Sequence, residues 1–241
     1  MAKDFEENRL KVQNYFTEIN FLVALNKDNL PYEIKEDKNK NTGKLESLTI
    51  QNIPFPEDEN FPKSWILDLE LENKVFSTPQ SWKKGEKALI FLSFTTLYVI
   101  ILEMKETLKP YESDGLEGIE KKIVHSISRI SMLLPIYLFD QKEDYKELDI
   151  VYKAIICYNK DDVSFQAEKD KNIESIKLYK AFKNPKKDFF LVDTFGKNHK
   201  IDVIFLKNTS SNPSKMEIDS ADIFRDNHDF PTSEYTELSC P

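Results

Sequence analysis

The sequence is poor in the residues on which several chemistries depend. It holds five glycines in 241 residues, and neither G-x-G-x-x-G nor G-x-x-x-x-G-K-[ST] occurs. Backbone cradles for phosphate are built from such glycines, so a dinucleotide or P-loop site is excluded. It holds two cysteines, Cys157 and Cys240, and no C-x-x-C. That excludes a zinc ribbon and a disulfide framework. The three histidines, His125, His199 and His228, are scattered and form no H-E-x-x-H. Positive charge is in deficit as well, with a formal net charge of −8. A generally basic nucleic-acid binder reads the other way, so contact with DNA has to come from a local basic patch. The opening "MAKDFEENRL" has acids where a signal peptide needs a basic region and an apolar run. Together with the low cysteine use, this gives a cytoplasmic expectation.

What is present is a chain of 40% apolar and 32% charged residues. That balance suits a globular protein with a sizeable core and a wet surface. The most apolar run is "KALIFLSFTTLYVIILEMK", Lys87 to Lys105. From Ala88 to Met104 it has 17 residues, short of the roughly 20 that cross a bilayer as a helix. Its Ile, Val, Phe and Tyr favour strands. A break at Thr95–Thr96 gives two strands, 88–94 and 97–105, as a buried hairpin, and no membrane partner is expected. Both strands are apolar on both faces, the pattern of central strands covered by a layer on each side. Glu103 and Lys105, two apart, point to one face at the end of the second strand.

Around this hairpin, residues 4–25 carry helical periodicity (Val12, Phe16, Ile19, Val23). "LPYEIKED" and "LESLTIQNI" are read as strands, and "SWILDLELE" as a half-buried strand with Asp68, Glu70 and Glu72 on its wet face. A helix is expected from Leu116 to Leu134, capped by Asp114 with Glu117 and stopped by Pro135. Its buried stripe is Leu116, Ile119, Ile123, Ile127, Ile130 and Leu134, and its polar side is Lys121, Lys122, His125 and Arg129. "DIVYKAIICYN" is the next strand, and "EKDKNIESIKLYKAFKN" a helix. "DFFLVDTFGKNHKIDVIFLKN" is a second hairpin. The polar "NTSSNPS" reads as a linker, "MEIDSADIF" as a short strand or helical turn, and the rest as a mobile tail. The fold class is α/β (α+β): a central mixed sheet with a buried hairpin, flanked by helices. One domain is expected over residues 1–207, with its core at about 5–158 and an extension at 159–207. Linker, short element and tail fill 208–241.

The order helix, strands, hairpin ending in "Glu103-Met104-Lys105", helix and strand resembles the PD-(D/E)xK nuclease superfamily. The resemblance covers residues 5 to 158 and implies a restriction-endonuclease-like core. It implies Glu103 and Lys105 as catalytic residues. Glu103, with a second acid, would hold Mg²⁺, and Lys105 would position the attacking water. Phosphates would be met by Lys121, Lys122, His125 and Arg129. The family's second acid is expected on the strand opposite Glu103. A turn at Thr95–Thr96 sets Ala88 there, so the acid has to come from Glu86 or Asp68, or from Glu18 on the first helix.

Three functions stay open at this level. One is a degenerate nuclease-like domain, acting as a nucleic-acid-associated or regulatory binding module, which the missing acid and the acidic balance favour. The second is an active Mg²⁺-dependent DNA endonuclease. The third is an unrelated α/β module that binds a protein partner.

Overall fold

Strand alternation divides the core in two. In the computed structural model the described residues are 22–25, 31–35, 45–53, 64–68, 87–93, 96–112, 115–138, 149–184, 190–194 and 197–224. Among them, β5 (Lys87–Ser93) and β6 (Thr96–Leu108) form the antiparallel hairpin. Leu97, Val99 and Ile101 join one apolar cluster, and Tyr98, Ile100 and Leu102 join the other. The run is apolar on both faces because both faces are covered.

The hairpin sits inside a mixed sheet of seven described strands. The others are β1 (Leu22–Ala24), β4 (Ser64–Asp68), β7 (Asp149–Asp161), β8 (Phe190–Thr194) and β9 (Lys197–Lys207), in the order β1-β4-β5-β6-β7-β9-β8. Pairing is antiparallel from β1 through β6, parallel from β6 to β7 to β9, and antiparallel again at β8. The parallel step needs a crossover, and α1 (Leu116–Leu138) supplies it. Its Ile119, Ile123, Ile127 and Ile130 are all essentially sealed from solvent and pack on the sheet. The other face of the sheet is covered by a second sheet, β2 (Tyr32–Lys35), β3 (Ser47–Gln51) and β10 (Lys215–Asp219), in the order β10-β3-β2.

The sequence expectations for fold class, the hairpin and the main helix are met, with several corrections. Residues 22–24 of the expected first helix form a strand paired with β4; residues 4–21 lie outside the described residues. Partner strands supply what local periodicity cannot see. β4 is buried on both faces, with Ile66 in one cluster and Leu67 in the other, so it is not half-buried. α1 continues past Pro135 to Leu138, because a proline removes one backbone donor without forbidding the turns on either side. Asp114 is outside the described residues. The first amides of α1 are met by backbone instead: Leu116 N–H donates to the Lys109 carbonyl at 2.8 Å. Gly115 precedes it where a Cβ would lie 1.9 Å from the Tyr111 carbonyl oxygen, so only glycine fits.

A short α2 (Val163–Ala167) precedes the helix expected at 168–184, which is itself broken into a 3-10 turn (Lys171–Ser175) and α3 (Lys177–Lys183). Asp170 caps the turn by accepting from Asn172 N–H at 2.9 Å, a competing use of the backbone that interrupts the helix. The expected linker at 208–214 is instead a knot of side-chain bonds. Asn208 Nδ2 donates to Asn159 Oδ1 at 2.9 Å, and Ser210 Oγ to the Asn212 carbonyl at 2.7 Å. It delivers β10 to β3 as a parallel partner, and α4 (Ser220–Phe224) follows with Ile223 fully buried. Residues 208–224 are therefore part of the folded body. The tail beyond 224 lies outside the described residues.

Candidate functional site: a buried glutamate between two lysines

Glu103 follows Leu97, Val99 and Ile101 in strand parity, so its side chain enters the layer between β6 and α1. It is 2% exposed, an unusual place for a carboxylate. Two ammonium groups meet it there. Lys105 Nζ, from the same strand, lies 2.5 Å from Oε1. Lys122 Nζ, from α1, donates to Oε1 at 3.1 Å and to Oε2 at 3.5 Å. Both lysine side chains are largely covered, 12% exposed for Lys105 and 16% for Lys122. A buried carboxylate is tolerable only when paired in this way.

Lys122 comes from the flank of the apolar stripe. Ile119 and Ile123 seal their side of α1 against the sheet, and Lys122, three positions after Ile119, neighbours that face with its side chain 16% exposed. Beside Lys105 on β7 stands Tyr158, its register partner in the parallel ladder. Burial raises the pKa of this phenol, and the nearby Asp161 carboxylate raises it further. The phenol stays neutral near pH 7.

The expected site residues are brought together only in part. Glu103 and Lys105 share a face and touch, as their spacing requires. β6 does not end at Lys105, however. It runs to Leu108 beside β7, so Glu103 is a mid-strand residue within the sheet rather than a group at an open end. The hairpin closes on the pair Ser93–Thr96, which places Ala88 opposite Ile101 and not opposite Glu103. Turning one residue earlier shifts every cross-strand partner by two, which preserves the faces and moves the register. Glu86 and Glu18 lie outside the described residues. Asp68 ends β4 opposite Lys87, and nothing is described of its side chain.

The four residues assigned to phosphate contact do not form one exposed row. Lys121 is exposed and pairs with Glu117 at 2.7 Å, one helical turn away. Lys122 turns inward to Glu103, His125 is half-buried, and Arg129 is 6% exposed. The polar side of α1 is thus partly an inner flank.

A divalent ion in the expected place can be judged from the donors around Glu103. A hard cation wants several oxygens. Glu103 offers a carboxylate already shared by two cations, and no group of three or more His, Cys, Asp or Glu side chains is placed to hold a metal among the described residues. Repulsion between like unit charges at 4 Å is on the order of 4 kcal/mol near a protein surface, and a dication doubles it. The described residues do not fit a metal.

Other polar groups were hidden from sequence reasoning. Lys153 on β7 is 2% exposed and faces the small sheet, where its Nζ donates to the Ile223 carbonyl at 3.0 Å. Its signal was a lysine inside the two-sided apolar run "VYKAIIC". Tyr111 donates to Asp170 at 2.8 Å, fastening the loop after β6 to the 3-10 turn. Glu120 on α1 accepts from Leu178 N–H at 3.3 Å and so caps α3. No local pattern marked either of these.

No family model matches the chain, and no curated protein and no solved structure matches it. Among the described residues no helix is long and apolar enough to cross a membrane, and the stretch that raised the question is the β5–β6 hairpin.

Proposed function

We propose that this chain is a nuclease-like domain in which the E-x-K pair has become structural, and that it acts as a regulatory or nucleic-acid-associated binding module in the cytoplasm. The observation that carries this reading is the capture of the Glu103 carboxylate by Lys105 and Lys122 in a 2% exposed site. An acid serving a divalent ion needs its oxygens free to turn toward that ion. Here both are engaged by ammonium groups. The order of elements supports the kinship: a hairpin carrying E-x-K on its second strand, then a helix, then a strand parallel to the second.

The test is calorimetric titration of Mn²⁺ into the protein and into Glu103→Gln, with a DNA-cleavage assay in parallel. The expected result is no heat of binding and no cleavage in either protein. Mn²⁺ binding and cleavage in the parent, both lost in Glu103→Gln, would restore the endonuclease reading in its place.

A further inference from the structure

We infer that Lys122 is a built-in cation, its ammonium standing where a divalent ion would face Glu103 and making the site independent of metal. The inference rests on the nuclease-like reading above and names what has replaced the metal. Both lysines meet the same carboxylate. Lys105 Nζ lies 2.5 Å from Oε1. Lys122 Nζ straddles the carboxylate, 3.1 Å from Oε1 and 3.5 Å from Oε2. A cation in front of both oxygens of one carboxylate occupies the bidentate position of a hard metal ion, at the longer distance that an ammonium requires.

The two lysines also have different origins. Lys105 belongs to the E-x-K strand itself and follows Glu103 by two. Lys122 arrives from the opposite layer, on a helix anchored by Ile119 and Ile123, which are 0% and 1% exposed. Its position is set by packing of the helix on the sheet, so it is present whenever the fold is formed. A carboxylate that is 2% exposed needs a counter-cation from the moment it is buried. A lysine on the crossover helix provides one with no dependence on ion concentration.

The experiment is thermal melting of the full chain with and without MnCl₂, using NaCl at matched ionic strength as control. The proteins are the parent, Lys122→Gln and Lys122→Glu, and each variant combined with Glu103→Gln. The parent is expected to melt at the same temperature with and without Mn²⁺. Both Lys122 variants are expected to melt lower and to gain at least about 3 °C with Mn²⁺, the shift that modest ligand binding gives a chain of this size. Lys122→Glu, with a second carboxylate, should gain more, and Glu103→Gln should abolish both gains. Should a variant fail to fold alone, folding that appears only with Mn²⁺ supports the inference. Failure to fold in both conditions, or melting unmoved by Mn²⁺ in both variants, overturns it. Stabilisation of the parent itself by Mn²⁺ through Glu103 is a different outcome and sinks the degenerate reading.

Discussion

Lys153, in the middle of β7, donates from Nζ to the backbone carbonyl of Ile223 at 3.0 Å and so ties the centre of the large sheet to the last described helix. Both residues are buried, Lys153 at 2% exposed and Ile223 at 0%. Ser220 Oγ makes a second tie from α4 to the Asn52 carbonyl at 2.5 Å. Removing α4 would take away the buried Ile223 side chain, worth about 1.5–3 kcal/mol of apolar burial, and the carbonyl that accepts from the buried Lys153, at a cost of about 1–3 kcal/mol. A chain ending at Asp219 is therefore expected to melt roughly 10 °C lower than the full chain. A chain ending at Arg225 keeps these ties, and the polar, aperiodic sequence beyond it predicts little change. Equal melting of the two truncations would show that α4 is not a structural element.

Ile123 is 1% exposed within the cluster that joins α1 to the sheet. Its replacement by alanine is expected to cost about 2–5 kcal/mol, through lost burial and the cavity left behind. Urea denaturation measures this directly. A loss under about 0.5 kcal/mol, the range of ordinary surface changes, would mean that the face does not pack.

The Tyr111–Asp170 hydrogen bond should make stability depend on pH at both extremes. Asp170 is held below its ordinary pKa, first by the Asn172 backbone N–H and then by the Tyr111 hydroxyl. Tyr111 is held above its ordinary pKa, chiefly by the same bond to Asp170. A depressed carboxyl stabilises the fold above its unfolded pKa, and that contribution is lost as pH falls through the folded value. A raised phenol stabilises below its unfolded pKa, and loses its contribution as pH rises through the folded value. The parent should exceed Tyr111→Phe in melting temperature between about pH 5 and pH 9. The difference should shrink below about pH 3 and above about pH 11. A gap that stays constant across this range would show that the bond does not form in solution.

Cys157 should be silent toward thiol reagents in the folded protein. It is fully buried, and burial pushes its thiol up to about 12, so almost no thiolate exists at pH 8. In a Cys240→Ser background, the rate of modification at pH 8 should follow global unfolding and rise steeply with urea. Modification within seconds in native buffer would mean that the small sheet opens over β7.

The E-x-K pair shows how far the sequence reached into the candidate site. Strand alternation alone set Glu103 and Lys105 on one face, and they are in contact. The same alternation could not place the pair relative to the turn, because "SFTT" holds no glycine or asparagine to fix a two-residue loop. The register closed on Ser93–Thr96 and carried Ala88 away from Glu103. Likewise, the 3.6-residue period found the stripe through Ile119, Ile123 and Ile127, yet it assigned Lys122 to the wet side. A residue on the flank of a stripe can turn either way, and the choice depends on what the neighbouring layer offers.

The sequence by itself determined the secondary structure of the hairpin, the crossover helix and the long strands. Their apolar periods of two and 3.6 are local quantities, written in order along the chain. It also determined that both faces of β5 and β6 would be covered. Only the tertiary structure decided what covers them, because β2, β3 and β10 come from positions far apart in the chain and meet by non-local pairing. Only it decided that Lys122 reaches Glu103 across the layer between helix and sheet, a contact nineteen residues apart that no local period encodes. A charge is recognised by its sequence, but its partner is chosen by which surfaces the fold brings together.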